Sequence, residues 1–451
     1  MSAANKFREN FEAKNINYIF NTKLLGTRAI GLDRIDPRNF EEKLEDECQI
    51  ISRKVLAGTY YFTRYKEKLV SKGAGKPPRQ LSIPTIRDRL TLRTLCEVLF
   101  LLFPNSKPPL PQDRISSVCD AINTKKYTHF IKIDLKEFYP SIDHQLMMKK
   151  LHHKIRIPEF KSLILKAIKN PTISSNSTMS APDNNKGVSQ GLSISNVLAE
   201  IYMQDVDIKL QNLCPEYFRF VDDIVMLTTK NPQEICLQAC EILRKAKLNP
   251  HDVDSSGSKT KTGPLSEGFD FLGYDLKPST IRCKKSSILN FESSLVEVFA
   301  EYKHRLRISK NEIDRSIALY RFRWSLNLKL TGCIYKKQRY GWVFYYSQIN
   351  DMTVFRRIDN TIKKLYIRFN IPCPPKPKNI LKSFYESKRT DKESHRYIPN
   401  YDTLSIDKIK DFLEKIGHST KELNEVEVSL FFHRLIRRAT RKLEKDIGNI
   451  S

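Results

Sequence analysis

Two adjacent aspartates, Asp222 and Asp223, interrupt a strongly apolar run, and that interruption constrains the fold of this chain more than any other feature. Phe218, Phe220 and Val221 precede them; Ile224, Val225 and Leu227 follow. An Asp pair alone reads as a solvated turn. Flanks that favour burial change the reading, because two buried like charges are costly without a cation beside them. The run therefore predicts two short strands over 217–227 that meet at the acids. A third carboxylate, Asp134, lies in an alternating strand predicted over 130–135 (FIKIDL). Carboxylates converging from a strand end and a neighbouring hairpin supply what two-metal phosphoryl transfer needs. One ion activates an attacking 3′-hydroxyl, and the other shields a triphosphate and its leaving pyrophosphate.

The charge balance points to the same chemistry. With 78 Lys+Arg against 51 Asp+Glu, the chain carries a formal charge of +27. That excess favours a polyanionic partner, since each neutralised phosphate releases counterions. At 451 residues, 40% hydrophobic and 29% charged, the composition is that of a globular protein of two or three domains. Nine cysteines lack metal-ligand spacing: Cys236 and Cys240 lie one helical turn apart, with no His or second Cys pair to complete a zinc site. An odd cysteine count without a recognisable signal peptide is expected of a reducing cytoplasm. No apolar stretch is long enough to span a bilayer.

Along the chain, helix-like spacing is expected over 40–56, a strand at 60–62, a basic turn over 72–78 and a half-buried strand over 79–84. Helices follow at 85–103 and 144–168, and a Ser/Asn/Pro-rich loop at 171–185. A helix over 192–210 is entered through Gly187–Gly191; another covers 234–246, and 269–276 closes the region as a strand or tight hairpin. Beyond about residue 285 the pattern is helical and basic. An exposed connector is expected at 372–400 and a basic amphipathic helix at 425–447.

These segments resemble the motifs of reverse transcriptases. Phe220-Val221-Asp222-Asp223 resembles their [YF]-x-D-D hairpin, 134–141 (DLKEFYPS) their first metal-binding motif, and 187–195 (GVSQGLSIS) the glycine-bracketed Gln motif of retron and group II intron enzymes. The fingers strand is matched by 79–89 (RQLSIPTIRDR), an upstream element by Gly31-Leu32-Asp33, the palm lysine motif by Lys259-Thr260 and the primer grip by Phe271-Leu272-Gly273-Tyr274. The resemblance covers about residues 25–285. It implies an α+β right-hand polymerase: fingers with an N-terminal extension over 1–125, and a palm with antiparallel sheet over 126–285. A helical thumb would follow over 286–370, with a connector and basic helical region over 371–451. It further implies that Asp134 and Asp222 ligate two Mg²⁺ ions (Mn²⁺ being the alternative), assisted by the Leu135 carbonyl, with Asp223 the more peripheral acid. Arg79 and Lys72 would grip the triphosphate of the incoming dNTP, Lys76 competing with Lys72. Gln190 would lie beside that nucleotide and the template base. Lys259 matches a general acid for pyrophosphate release, or is simply a solvated loop lysine.

Tyr139 stands where RNA-synthesising relatives carry a second Asp. A bulky aromatic there implies exclusion of a ribose 2′-hydroxyl and a DNA product, the alternative being a core aromatic. Two departures, Phe-Val for the commoner Tyr-Ala and Leu-Ser-Ile-Ser for Ala-Pro-Thr-Ser, suggest a divergent clade. No endonuclease, RNase H or protease segment is recognisable, nor the Asn-Ala-x-x-His segment usual in retron enzymes. By elimination the chain resembles bacterial defence-associated (antiphage) reverse transcriptases. These imply an RNA template, typically noncoding, a DNA primer or product, and sometimes a second polymerase or a homo-oligomer. Untemplated or protein-primed DNA synthesis and a catalytically idle RNA-binding scaffold remain the alternatives. In the C-terminal region cations such as Arg321, Arg323 and Lys336 interleave with Tyr320, Trp324, Tyr335 and Trp342; Arg434, Arg437, Arg438 and Arg441 follow. Either nucleic-acid contact or helical packing accounts for them.

Overall fold

The computed structural model describes residues 2–24, 29–71, 77–175, 181–253, 258–371, 377–389, 391 and 395–447. They divide into two units, 1–110 with 129–263, and 111–128 with 264–451.

In the first unit, strands β1 (Tyr65–Val70) and β2 (Arg79–Ile83) pair antiparallel, with Val70 opposite Arg79. The expected β3 spans His129–Lys136 and is buried on both faces, from Phe130 through Ile133 and again at Leu135. A two-residue β4 (Thr172–Ile173) lies parallel to β1. The acid-bearing hairpin is β5 (Tyr217–Phe220) and β6 (Asp223–Thr228), followed by β7 (Asn249–Pro250) and β8 (Lys261–Pro264). The order is β5-β6-β3-β7, with β8 also pairing β3. In this register Asp134 lies directly opposite Asp223. The helix Ser195–Leu213 buries Val197, Leu198, Ala199, Ile201, Tyr202, Met203, Val206 and Leu210. It packs on the helices His144–His152 and Pro232–Lys245, and each fully buried Leu198- or Ile201-sized side chain contributes about 1.5–3 kcal/mol.

Three local expectations are corrected. Residues 60–62 are not a strand: Lys166 Nζ donates to the Tyr60 carbonyl (3.1 Å), and at the next residue Thr63 N–H donates to Asp88 (3.0 Å) while the Thr63 carbonyl accepts from Asn170 (2.8 Å), so side chains rather than a ladder meet the backbone here. The single helix expected over 144–168 is two, His144–His152 and Pro158–Lys169. Pro158 opens the second at its first position, and Ile157 before it is extended, as a residue preceding proline prefers. The run at 40–56 likewise splits, into Pro37–Glu41 and Leu44–Leu56.

The second unit holds an antiparallel meander, β9 (Phe269–Phe271), β10 (Tyr274–Lys277) and β11 (Thr280–Cys283). A small hairpin, β12 (Cys333–Tyr335) and β13 (Gln338–Tyr340), lies among long helices that include Lys285–Ile308, Glu312–Thr331, Thr353–Arg368 and Glu425–Ile447. Most of the aromatics interleaved with cations are core: Tyr335, Trp342, Tyr345 and Tyr346 are buried, while Arg323, Lys336, Lys337 and Arg356 are exposed. Trp324 donates its indole N–H to the Tyr401 hydroxyl (2.7 Å) and packs edge-on to Phe412. The expected connector contains a helix, Ile380–Ser387, whose Ile380 and Phe384 are fully buried; an apolar i, i+4 pair inside a Pro/Lys-rich segment is enough to anchor it. The α+β class, with antiparallel sheets and a helical C-terminal region, is as expected. Among the described residues no helix is long and apolar enough to cross a membrane.

Candidate active site

The turn between β5 and β6 consists of Val221 and Asp222. Val221 is held at φ +55°, a left-handed conformation that a β-branched side chain enters only under constraint. The constraint is visible. Arg219 is almost wholly buried, and one guanidinium nitrogen donates to the Val221 carbonyl (3.0 Å). The same guanidinium binds Glu200 (2.7 and 3.0 Å) and Asp207 (2.7 Å) on the Ser195–Leu213 helix. Tyr217 adds its hydroxyl to Asp207 (2.7 Å). A bidentate arginine with two acids on one side and a strained carbonyl on the other fixes the turn to the helix.

At this end of the sheet the three carboxylates converge, each in a different setting. Burial pushes the Asp222 carboxyl above the usual aspartate range; Asp134 adds to the push, and Lys259 and Arg79 oppose it. Asp223 faces the nearly buried Lys132 at 3.8 Å. Asp134 is gripped by cationic and polar neighbours: Lys259 Nζ at 3.1 Å, His251 Nε2 at 3.2 Å, and its own N–H donating to the buried Thr260 hydroxyl at 3.4 Å. Leu135 lies opposite Pro250, and the Asp134 carbonyl accepts from His251 N–H (3.0 Å). Among the described residues no three His, Cys, Asp or Glu side chains form a ready-made ligand shell. The donors nearby are hard carboxylate oxygens, Asp134 adding to the burial that raises Asp222, and they suit a hard divalent cation.

The other expected site residues reach the same region through a clamped loop. Gly187 (φ +86°) and Gly191 (φ +102°) bracket Gln190. A Cβ at Gly187 would come within 2.8 Å of the Pro140 carbonyl, and one at Gly191 within 2.9 Å of the Ser82 carbonyl. That closeness lets Val188 N–H donate to the Tyr139 carbonyl (2.9 Å), and Ser82 N–H to the Gln190 carbonyl (2.8 Å). The loop is thus stitched to the Tyr139 turn on one side and to β2, which begins at Arg79, on the other. Tyr139 sits on a single helical turn, Phe138–Ser141, and its hydroxyl donates to Asn196 Oδ1 (2.8 Å). Burial raises its phenol well above the ordinary range, with Asp222 next in effect. Lys72 and Lys76 lie outside the described residues.

Residues 70–276 match the family model described as reverse transcriptase (RNA-dependent DNA polymerase). That stretch, a little under half of the chain, is similar to reverse transcriptase domains. Protein YkfC of Escherichia coli (strain K12) is 24% identical to the chain over 301 residues, 56% of this chain and 76% of YkfC. Among solved structures it is similar to apo telomerase of Candida tropicalis truncated from the C-terminal domain (15% identity, TM-score 0.34, 49% of this chain). Telomerase of Candida albicans with a TWJ fragment of telomeric RNA is another (12% identity, TM-score 0.44, 89% of this chain). This chain covers 55% and 66% of those two telomerases.

The candidate site also gathers residues that sequence reasoning passed over. Arg219 left a signal, a charged residue inside the apolar run before the aspartates. Lys132 left the same signal in β3. Asn196 and His251 left none, since each gains meaning only from the strand or turn folded against it.

Proposed function

We propose that this chain is an RNA-directed DNA polymerase that copies a dedicated noncoding RNA into DNA, as part of a bacterial antiphage defence in the cytoplasm. The observation that carries the polymerase chemistry is the register that sets Asp134 opposite Asp223, one residue from the constrained Asp222 turn. In this reading Asp134 and Asp222 hold two Mg²⁺ ions, with Mn²⁺ as a substitute, the Leu135 carbonyl assists and Asp223 stands behind. Bound there, the ions would activate a primer 3′-hydroxyl and neutralise charge on the departing pyrophosphate. Arg79 and Lys72 grip the triphosphate, Gln190 lies against the nascent pair, and Tyr139 excludes a 2′-hydroxyl. Lys259, already within 3.1 Å of Asp134, supplies a proton to the pyrophosphate oxygen. The eight described cysteines, all buried and unbridged, suit a reducing compartment. The defence role rests on the divergent motifs around Gln190 and Phe220-Val221.

The test is to purify the protein from cells carrying its native locus and sequence the associated RNA and DNA. The Asp222→Asn, Asp223→Asn double variant is processed in parallel. DNA complementary to one enriched RNA, present with wild type and absent with the variant, is expected. Identical DNA from both, or none from wild type with Mg²⁺ and all four dNTPs, would falsify the polymerase reading; DNA without a matching enriched RNA would remove the dedicated template.

A further inference from the structure

We infer that Asn196 is a specificity-determining positioning residue: it holds the Tyr139 ring at the orientation that excludes a ribonucleotide. The inference rests on the reading of Tyr139 as the sugar gate.

A gate built from one aromatic ring needs that ring fixed against rotation about its two side-chain torsions, and packing alone fixes Tyr139 incompletely. Its turn is only four residues long and is entered through Glu137 in a left-handed conformation (φ +48°). The neighbouring Phe138 ring is 5.4 Å away and tilted by 58°, and Tyr139 itself is only partly buried. The hydroxyl tip is therefore the lever that decides where the ring lies. Two acids, Asp222 and Glu200, are near enough to raise the phenol's proton affinity. The hydroxyl nevertheless donates to the neutral amide oxygen of Asn196, at 2.8 Å. Held there, the phenol stays clear of the carboxylate that the reaction needs.

Asn196 is well placed to act as a fixed post. It stands in the first turn of the Ser195–Leu213 helix, whose Ser195 hydroxyl donates to the Ser189 carbonyl (2.6 Å), next to Gln190. Asn196, Glu200 and Asp207 follow at i, i+4 and i+11, one stripe of a helix. Glu200 and Asp207 are the acids that grip Arg219 and, through it, the Val221 carbonyl. One rigid helix thus holds the gate at one end of its stripe and the Asp222 turn further along. The distance between the ring and the reacting centre is set by helix geometry rather than by a loop.

The test measures incorporation efficiency for a ribonucleotide relative to the matching deoxynucleotide, on a primed RNA template with Mg²⁺. Removing one neutral hydrogen bond that orients the ring should raise that ratio about five-fold in Asn196→Leu and equally in Tyr139→Phe. The double variant should do no more than either single one. Asn196→Asp keeps the acceptor and should keep the ratio near wild type, whatever happens to the absolute rate. Tyr139→Ala, which removes the ring itself, should raise the ratio further. An unchanged ratio in Asn196→Leu and Tyr139→Phe, with a raised one in Tyr139→Ala, would overturn the role of Asn196 and leave the gate standing. Additive effects in the double variant would also overturn it, because the two residues would then act separately. No change in Tyr139→Ala would remove the gate, and the inference with it.

Discussion

Arg219 illustrates how a buried charge can serve a catalytic turn. Its side chain is 6% exposed, and it sits between Glu200, Asp207 and the carbonyl of a valine in a left-handed conformation. Taking three charges out of water is expensive, so the cluster is weak evidence for stability as such. Its value is positional: the turn cannot relax to a commoner conformation without losing the grip on Val221. Replacing Arg219 by Met would leave two acids without their cation. The expected loss is about 3 kcal/mol in a denaturant melt, the lower end of the range for a broken buried pair because Asp207 is partly exposed. Arg219→Lys keeps the charge but not the fork, and should recover only part of that. A loss under about 0.5 kcal/mol for Met, the scale of a plain surface change, would mean that the cluster does not hold the turn.

At the level of elements, the clearest tie is between the Lys285–Ile308 and Thr353–Arg368 helices. Glu292 accepts from Arg357 (2.6 and 3.0 Å) and from the Thr361 hydroxyl (2.8 Å). Hydrogen bonding from Arg357 holds its carboxyl below the ordinary 4.5, against burial, which opposes it. A carboxylate depressed on folding stabilises the folded state at pH above its unfolded value, and the benefit fades as pH falls through the folded value. Glu292→Gln should thus cost about 1 kcal/mol at pH 7, a figure held down by the half-exposed arginine. The gap between the two melting curves should close as pH drops below about 4, near the ordinary carboxylate range. A gap that stayed constant down to pH 3 would assign the effect to packing. Elements were legible unevenly. The strand–acid–strand run over 217–227 was readable because a nearly continuous apolar run is interrupted only where the chain turns. The break at 153–157 was not, because apolar spacing continues across it and Pro158 restarts the helix. Residues 60–62 have strand-like side chains, but Lys166 takes the Tyr60 carbonyl, and Asp88 and Asn170 take the backbone of the following Thr63.

For the whole molecule, the +27 charge predicts how binding responds to salt. The amphipathic C-terminal helix buries Val428, Phe432, Ile436 and Leu443 and exposes Arg434, Arg438 and Arg441 on its other side. Affinity for a labelled RNA–DNA duplex, read by fluorescence anisotropy, should fall log-linearly with salt. The slope should be about −0.7 to −0.9 per phosphate contacted. Converting those three arginines to Gln should flatten the slope by about 2–3 if the helix meets the backbone. An unchanged slope would restrict the helix to packing. The aromatics around residues 320–346 set a limit on this reading. Their rings are largely spent on the core, so phosphate contact rather than base stacking is the interaction left to that region's exposed cations.

What the sequence determined by itself was the local pattern of the candidate site. Acids flanked by buried apolar residues, and glycines bracketing Gln190, are local patterns, and the physics behind them is local: like charges need a cation, and close backbone approach needs a missing Cβ. What only the tertiary structure decided was the support. Arg219 reaches Val221 and the Ser195–Leu213 helix at once, Asn196 meets Tyr139 across 57 residues, and His251 and Lys259 meet Asp134 across more than a hundred. Such pairs have no signature along the chain, because their energy depends on a distance that exists only after the strands have paired and the helix has docked.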